Sequence, residues 1–146
     1  MSEIGFYHLT RSTLEQALPQ LLARTLAAGY RALVLAPDVA ALDALSTALW
    51  AQPAWLPHGS ASDGDADLQP IWLSADPEPL NGARYLFLVG GAETDRIEAY
   101  DRAFDIFDGN SPAAVSAARL RWKAVKDAGH TLAYWQQAES GWQKKA

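Results

Sequence analysis

Cysteine is absent from the 146 residues. That absence excludes a disulfide framework, a cysteine-bearing zinc site and a thiol nucleophile. Histidine is nearly as scarce. His8, His58 and His130 form no HxxxH-type spacing, so no metal site is expected. No apolar run approaches the ~20 residues that cross a bilayer, and no membrane contact is expected. The opening MSEIGFYHLT lacks the basic start and long apolar middle of a secretory signal, so the expected location is the cytoplasm. Phosphate fingerprints are missing as well. Gly90-Gly91 follows an apolar run, but neither GxGxxG nor GxxxxGK[ST] occurs. Serine-nucleophile spacing is absent, and Gly59-Ser60-Ala61-Ser62 reads as a flexible loop. Asp63, Asp65 and Asp67 alternate as in a calcium loop but lack that motif's glycine and terminal glutamate. Neither a catalytic residue set nor a cofactor follows from these residues.

What is present fits one compact domain over residues 1–146, with 49% hydrophobic and 20% charged residues. The net charge of −5 is unevenly spread. Residues 1–110 carry 6 basic and 15 acidic side chains, a balance of −9, whereas residues 111–146 carry 6 and 2, a balance of +4. Such segregation points to partner binding.

Ile4 to Leu9, Arg31 to Ala36, Ile71 to Leu73, Tyr85 to Val89, Phe104 to Phe107 and Leu132 to Trp135 read as strands. Helical spacing covers Thr13 to Ala28, despite Pro19, and a second stretch after Pro37-Asp38 carrying Val39, Leu42, Leu45 and Leu49. Residues 57–70 read as a loop that holds His58 as a turn residue, and residues 93–102 as helical. Ser111-Pro112 starts a helix that runs to Ala128 and stops at Gly129. Residues 136–146 read as a loose tail. Strands alternating with helices give an α/β class, a Rossmann-like three-layer domain with a mostly parallel central sheet.

The last helix is the most informative segment. At 100° per residue from Arg119, Lys123 falls at ~40° and Lys126 at ~−20°, which makes a cationic stripe. Trp122 (~−60°) and Val115 (~−40°) flank it. Ala117, Leu120, Ala124 and Ala128 lie opposite, a narrow side suited to packing on the sheet. Arg121 falls on that packed side, to reach out at its edge or to pair internally. The helix dipole explains a cation at Lys126 but not a tryptophan beside the stripe. Cations around an aromatic suit an acidic peptide with an apolar end, or single-stranded nucleic acid. A second aromatic cluster, Trp50, Pro53, Trp55 and Pro57, suits either core cover or an apolar docking patch.

These features, in order and spacing, resemble the chi subunit of bacterial DNA polymerase III. The resemblance rests on FYHL near the start, ALW followed by the aromatic-proline stretch to His58, FDIFDGN, and the Arg119–Gly129 helix end. It implies a Rossmann-like fold without catalysis, acting as a clamp-loader accessory subunit in DNA replication. It implies a grip on the acidic C-terminal tail of single-stranded DNA-binding protein at Arg119, Trp122, Lys123 and Gly129. Trp122 stands where the family has tyrosine and Val115 where it has lysine; Lys126 in the stripe compensates. Trp50, Pro53 and Trp55 would then face the psi subunit or the clamp loader, and DNA is met mainly indirectly. The alternatives are a small Rossmann-type nucleotide- or cofactor-dependent enzyme and a direct single-strand binder using the same basic helix.

Overall fold

A computed structural model describes residues 2–52, 56–60, 63–76, 78–139 and 141–146. In chain order the elements are β1 (Glu3–Leu9), α1 (Leu14–Ala27), β2 (Ala32–Leu35), α2 (Val39–Trp50), β3 (His58–Ser60), β4 (Ile71–Ser74), β5 (Tyr85–Leu88), β6 (Arg102–Asp108), α3 (Pro112–Asp127), β7 (Thr131–Ala138) and β8 (Gly141–Lys144). The strands form one sheet in the order β3-β4-β2-β5-β6-β1-β7-β8. Every neighbouring pair is parallel except β7 with β8.

The sheet order explains the layers. From β1 the chain crosses leftward through α1 to β2, and again leftward through α2 to β3. From β6 it crosses rightward through α3 to β7. Crossovers of one hand running in opposite directions put their helices on opposite faces. Accordingly, Leu18, Leu22, Leu45 and Leu49 from α1 and α2 share a core with Tyr7, Val34, Phe87 and Phe104. Ala118 of α3 shares the other core with Ile4, Phe6, Leu88 and Phe107. Along β1 the side chains alternate between the two, Ile4 and Phe6 toward α3, Tyr7 and Leu9 toward α1. The Rossmann-like α/β expectation holds, with α1 unbroken through Pro19.

Several local expectations do not hold. Residues 93–102 are not a helix: one 3-10 turn, Ile97–Ala99, precedes β6, which starts at Arg102 opposite Tyr85 and Glu3. His58 is not a turn residue. It lies buried in β3, where Nδ1–H donates to the Leu56 carbonyl (2.8 Å) and the Ser46 hydroxyl donates to Nε2 (3.1 Å). The stretch 136–146 is not a loose tail over its described residues. It completes β7 and adds β8, whose Trp142 ring meets the Tyr7 ring edge-on at 5.0 Å, while the Trp135 ring of β7 stacks on Tyr7 at 6.3 Å.

Candidate peptide-binding groove

Helix α3 is capped at both ends by its own sequence. The Ser111 hydroxyl accepts from the Ala114 N–H at 3.2 Å, and Pro112 fills the first helical position. At the other end Gly129 takes φ +88°, so its N–H reaches the Lys126 carbonyl and the His130 N–H reaches that of Val125. This is a Schellman closure, which a side chain at Gly129 would strain. The two caps fix where the stripe begins and ends.

The helix phase differs from the sequence expectation. Ala117, Leu120, Ala124 and Ala128 are exposed, not packed on the sheet. The sheet-facing arc is Val115, Ala118, Arg121, Trp122 and Val125. Arg121 is 7% exposed and makes two hydrogen bonds to Asp105 of β6, Nε to Oδ2 at 2.6 Å and an Nη–H to Oδ1 at 2.9 Å. Burial pushes the Asp105 carboxyl above its usual range, against the pull of Arg121. This pair pins α3 to the sheet.

Arg119, Lys123 and Lys126 remain exposed along one edge of α3. Beside that edge Trp122 is half-buried, its ring 5.2 Å from Phe6 and 5.9 Å from Tyr134, both edge-on. Between α3 and β7 opens a cavity of about 380 Å³ lined by Phe107, Val115, Ala118, Trp122 and Tyr134, with Arg119 and Ala146 at its rim. Among the described residues of that lining, Arg119 is the one with a charged side chain. Tyr134 sits 2.5 Å from His8 Nδ1 in a shared hydrogen bond, and the His8 ring lies 5.0 Å from Phe107. Burial pushes the Tyr134 hydroxyl above its usual pKa, and the nearby Arg119 charge pulls it back. An apolar hollow with a cation at its mouth takes an apolar side chain that carries an adjacent negative charge.

The structure therefore brings Arg119 and Trp122 to one groove and sets Lys123 and Lys126 along the same exposed edge, with Gly129 two residues past the helix. It does not join them to the other cluster. Trp50 ends α2 on the opposite face of the sheet, 57% exposed, with its ring 4.2 Å from that of His58. Pro53 and Trp55 lie outside the described residues. Sequence reasoning missed Phe107 and Tyr134 as groove residues, and His8 as the side chain behind them. The alternation of Leu132 and Tyr134 on one face of β7 was the available signal.

Other chemistry finds little footing. Among the described residues no group of three or more His, Cys, Asp or Glu could hold a metal ion, and no helix is long and apolar enough to cross a membrane. The β1–α1 loop is where Rossmann-type folds cradle phosphate. Here the N–H groups of Thr10, Arg11 and Ser12 all donate to Gln137 Oε1, at 3.2, 2.8 and 3.0 Å. A phosphate would first have to displace that amide.

The chain is similar to known proteins. The probable DNA polymerase III subunit chi of Rickettsia prowazekii (strain Madrid E) is 23% identical over 99 residues, covering 66% of this chain. The alignment spans 60% of that relative's own length. The family model described as DNA polymerase III chi subunit, HolC, matches residues 1–133, which include the whole of α3 and most of the groove. The chain belongs to the DNA polymerase III chi subunit family.

Proposed function

We propose that this protein is a non-catalytic accessory subunit of the DNA polymerase III holoenzyme. It links the clamp loader to single-stranded DNA-binding protein by holding that protein's acidic C-terminal tail in the groove between α3 and β7. The observation that carries this reading is the apolar hollow of Val115, Trp122 and Tyr134 with Arg119 at its mouth. The tail's apolar end enters the hollow, its carboxylate meets Arg119, and its acidic residues run along Lys123 and Lys126. Gly129 leaves the backbone free of side-chain bulk beyond the helix end. Exposed ion pairs contribute only ~0–1 kcal/mol each. Burying one large apolar side chain contributes ~1.5–3 kcal/mol, so the hollow and the stripe must act together.

Trp50 serves as the second contact, toward the psi subunit or the clamp loader, on the face that the tail does not use. One partner can then bind without covering the other's site. DNA is reached through the tail rather than directly, in keeping with the −9 balance of residues 1–110.

Fluorescence anisotropy of a labelled acidic peptide ending in an apolar residue tests the reading. Arg119→Ala is expected to weaken binding about tenfold, as for a lost charge-assisted hydrogen bond. Lys123→Glu should weaken it further at low salt than at high salt. Amide capping of the peptide should mimic Arg119→Ala. Unchanged affinity in Arg119→Ala and Lys123→Glu, with the fold intact by circular dichroism, would refute the site.

A further inference from the structure

Helix α3 has a second flank, and its chemistry is the opposite of the first. Between α3 and the 93–98 segment lies a groove of about 650 Å³. Its floor is apolar, from Phe6, Leu88, Ile97 and Val125. Its far rim carries Glu93, Asp95 and Glu98, all exposed, and none of the three is in an ion pair among the described residues. The guanidinium of Arg121 on the wall is already committed to Asp105. On the near rim the groove runs onto Ala124 and Ala128, which continue the exposed stripe of Ala117 and Leu120. Leu120 is 72% exposed. From Ala117 to Ala128 the stripe spans ~16 Å, about three helical turns.

We propose that this groove and stripe dock an amphipathic, basic helical segment of a partner protein. One apolar side chain enters the groove over Phe6 and Leu88. Further apolar residues at helical spacing lie along Leu120 and the alanines, whose small side chains let two helix backbones approach closely. Lysine or arginine on the segment's edge meets Glu93, Asp95 and Glu98. Each part of the surface selects for this occupant. A small molecule would fill the groove but leave the Leu120 stripe uncovered. An isologous second copy would bring its own three carboxylates to the same interface. An acidic segment would meet like charge. The site stands apart from the tail groove, because α3 separates the two and their charges are opposite in sign.

The full chain is titrated with a designed helical peptide of leucine and lysine, and with its leucine and glutamate counterpart. Binding is followed by anisotropy and by backbone amide shifts in nitrogen-15 correlation spectra. The lysine peptide is expected to shift signals from residues 93–98 and 117–128, and to lose affinity as salt rises. The combined variant Glu93→Lys, Asp95→Lys and Glu98→Lys should weaken it roughly tenfold, the sum expected for a few exposed ion pairs. Leu120→Asp should weaken it similarly while leaving the far-ultraviolet circular dichroism unchanged. The acidic tail peptide should bind these variants without loss, which separates this proposal from the tail reading. Equal binding of the glutamate peptide, signals shifting only around Arg119 and Trp122, or unchanged affinity in both variants would each overturn it. Sedimentation showing a dimer that Leu120→Asp dissociates would assign the surface to a second copy and overturn it too.

Discussion

Replacing Arg121 by leucine leaves the Asp105 carboxylate buried without its cation. The two side chains are 8% and 4% exposed and are joined by two hydrogen bonds of 2.6 and 2.9 Å. Removing one partner of such a pair costs ~3–5 kcal/mol, because the remaining charge is neither solvated nor paired. That is a large share of the ~5–15 kcal/mol that holds a domain folded. With a urea slope near ~2 kcal/mol per molar, the unfolding midpoint should fall by about 1.5–2.5 M. Tryptophan fluorescence reads it directly, since Trp122 follows Arg121 in the same arc of α3.

The loss should depend on pH in a stated direction. In the native protein burial raises the Asp105 pKa and Arg121 opposes that rise. Without Arg121 burial acts unopposed, so the folded pKa climbs further above the unfolded value of ~3.9. The folded state then binds the proton more tightly than the unfolded chain. Its penalty is full above the folded pKa and shrinks as pH falls through that value toward ~3.9. The gap between wild type and Arg121→Leu should therefore be widest at neutral pH and narrow in mild acid. The double variant Arg121→Leu with Asp105→Leu should recover most of the loss, since it leaves no buried charge. A midpoint shift that is equal at both pH values, or a double variant no more stable than the single, would refute the account.

Two further outcomes follow from local geometry. A methyl group on Gly109 would overlap the His8 ring and the Leu9 carbonyl, and that carbonyl already accepts the Gly109 N–H at 2.7 Å. Gly109→Ala should cost ~1–3 kcal/mol by calorimetry and, by moving His8 from Tyr134, weaken the acidic peptide; an unchanged melting temperature would count against it. Tyr100 is 2% exposed, and burial pushes its hydroxyl up to about 12 from an ordinary 10.0. Because the folded pKa is the higher one, the stability it contributes is intact below 10.0 and is lost as pH rises toward about 12. Phenolate absorbance should show a late component that Tyr100→Phe removes, and titration of every tyrosine near 10 would contradict it.

Strand positions were legible where the chain is apolar without interruption, as in ALVL of β2 and YLFL of β5, which lie inside the sheet and are covered on both faces. The misreadings arose where a few residues decide the outcome. In 93–102 helical spacing is met, but only Ile97 and Tyr100 are buried there, too little to hold a helix against the sheet. The parallel ladders to β1 and β5 instead begin at Arg102. At the other end the Trp142 ring and the β7–β8 ladder decide together. Placed beside Tyr7, one tryptophan buries surface that helps to order a polar strand, and residue counts over a polar segment hide that.

For α3 the periodicity was legible and its phase was not. A helical wheel gives two arcs, one of Ala117, Leu120, Ala124 and Ala128, the other of Val115, Ala118, Arg121, Trp122 and Val125. Composition by residue favours the first, since the second contains an arginine. Area favours the second, because a tryptophan and two valines remove far more apolar surface from water than three alanines and a leucine on a surface already broken by small side chains. The arginine is then an obstacle only if nothing answers it. Asp105 answers it, and Asp105 was visible as the lone acid inside the apolar run F-D-I-F of β6. An acid in a strand that is covered on both faces requires a buried cation, and Arg121 is the cation one helix away. Reading the two together turns the helix by about a third of a revolution. It keeps Arg119 and Trp122 at one groove, and it frees Leu120 and the alanines for the other.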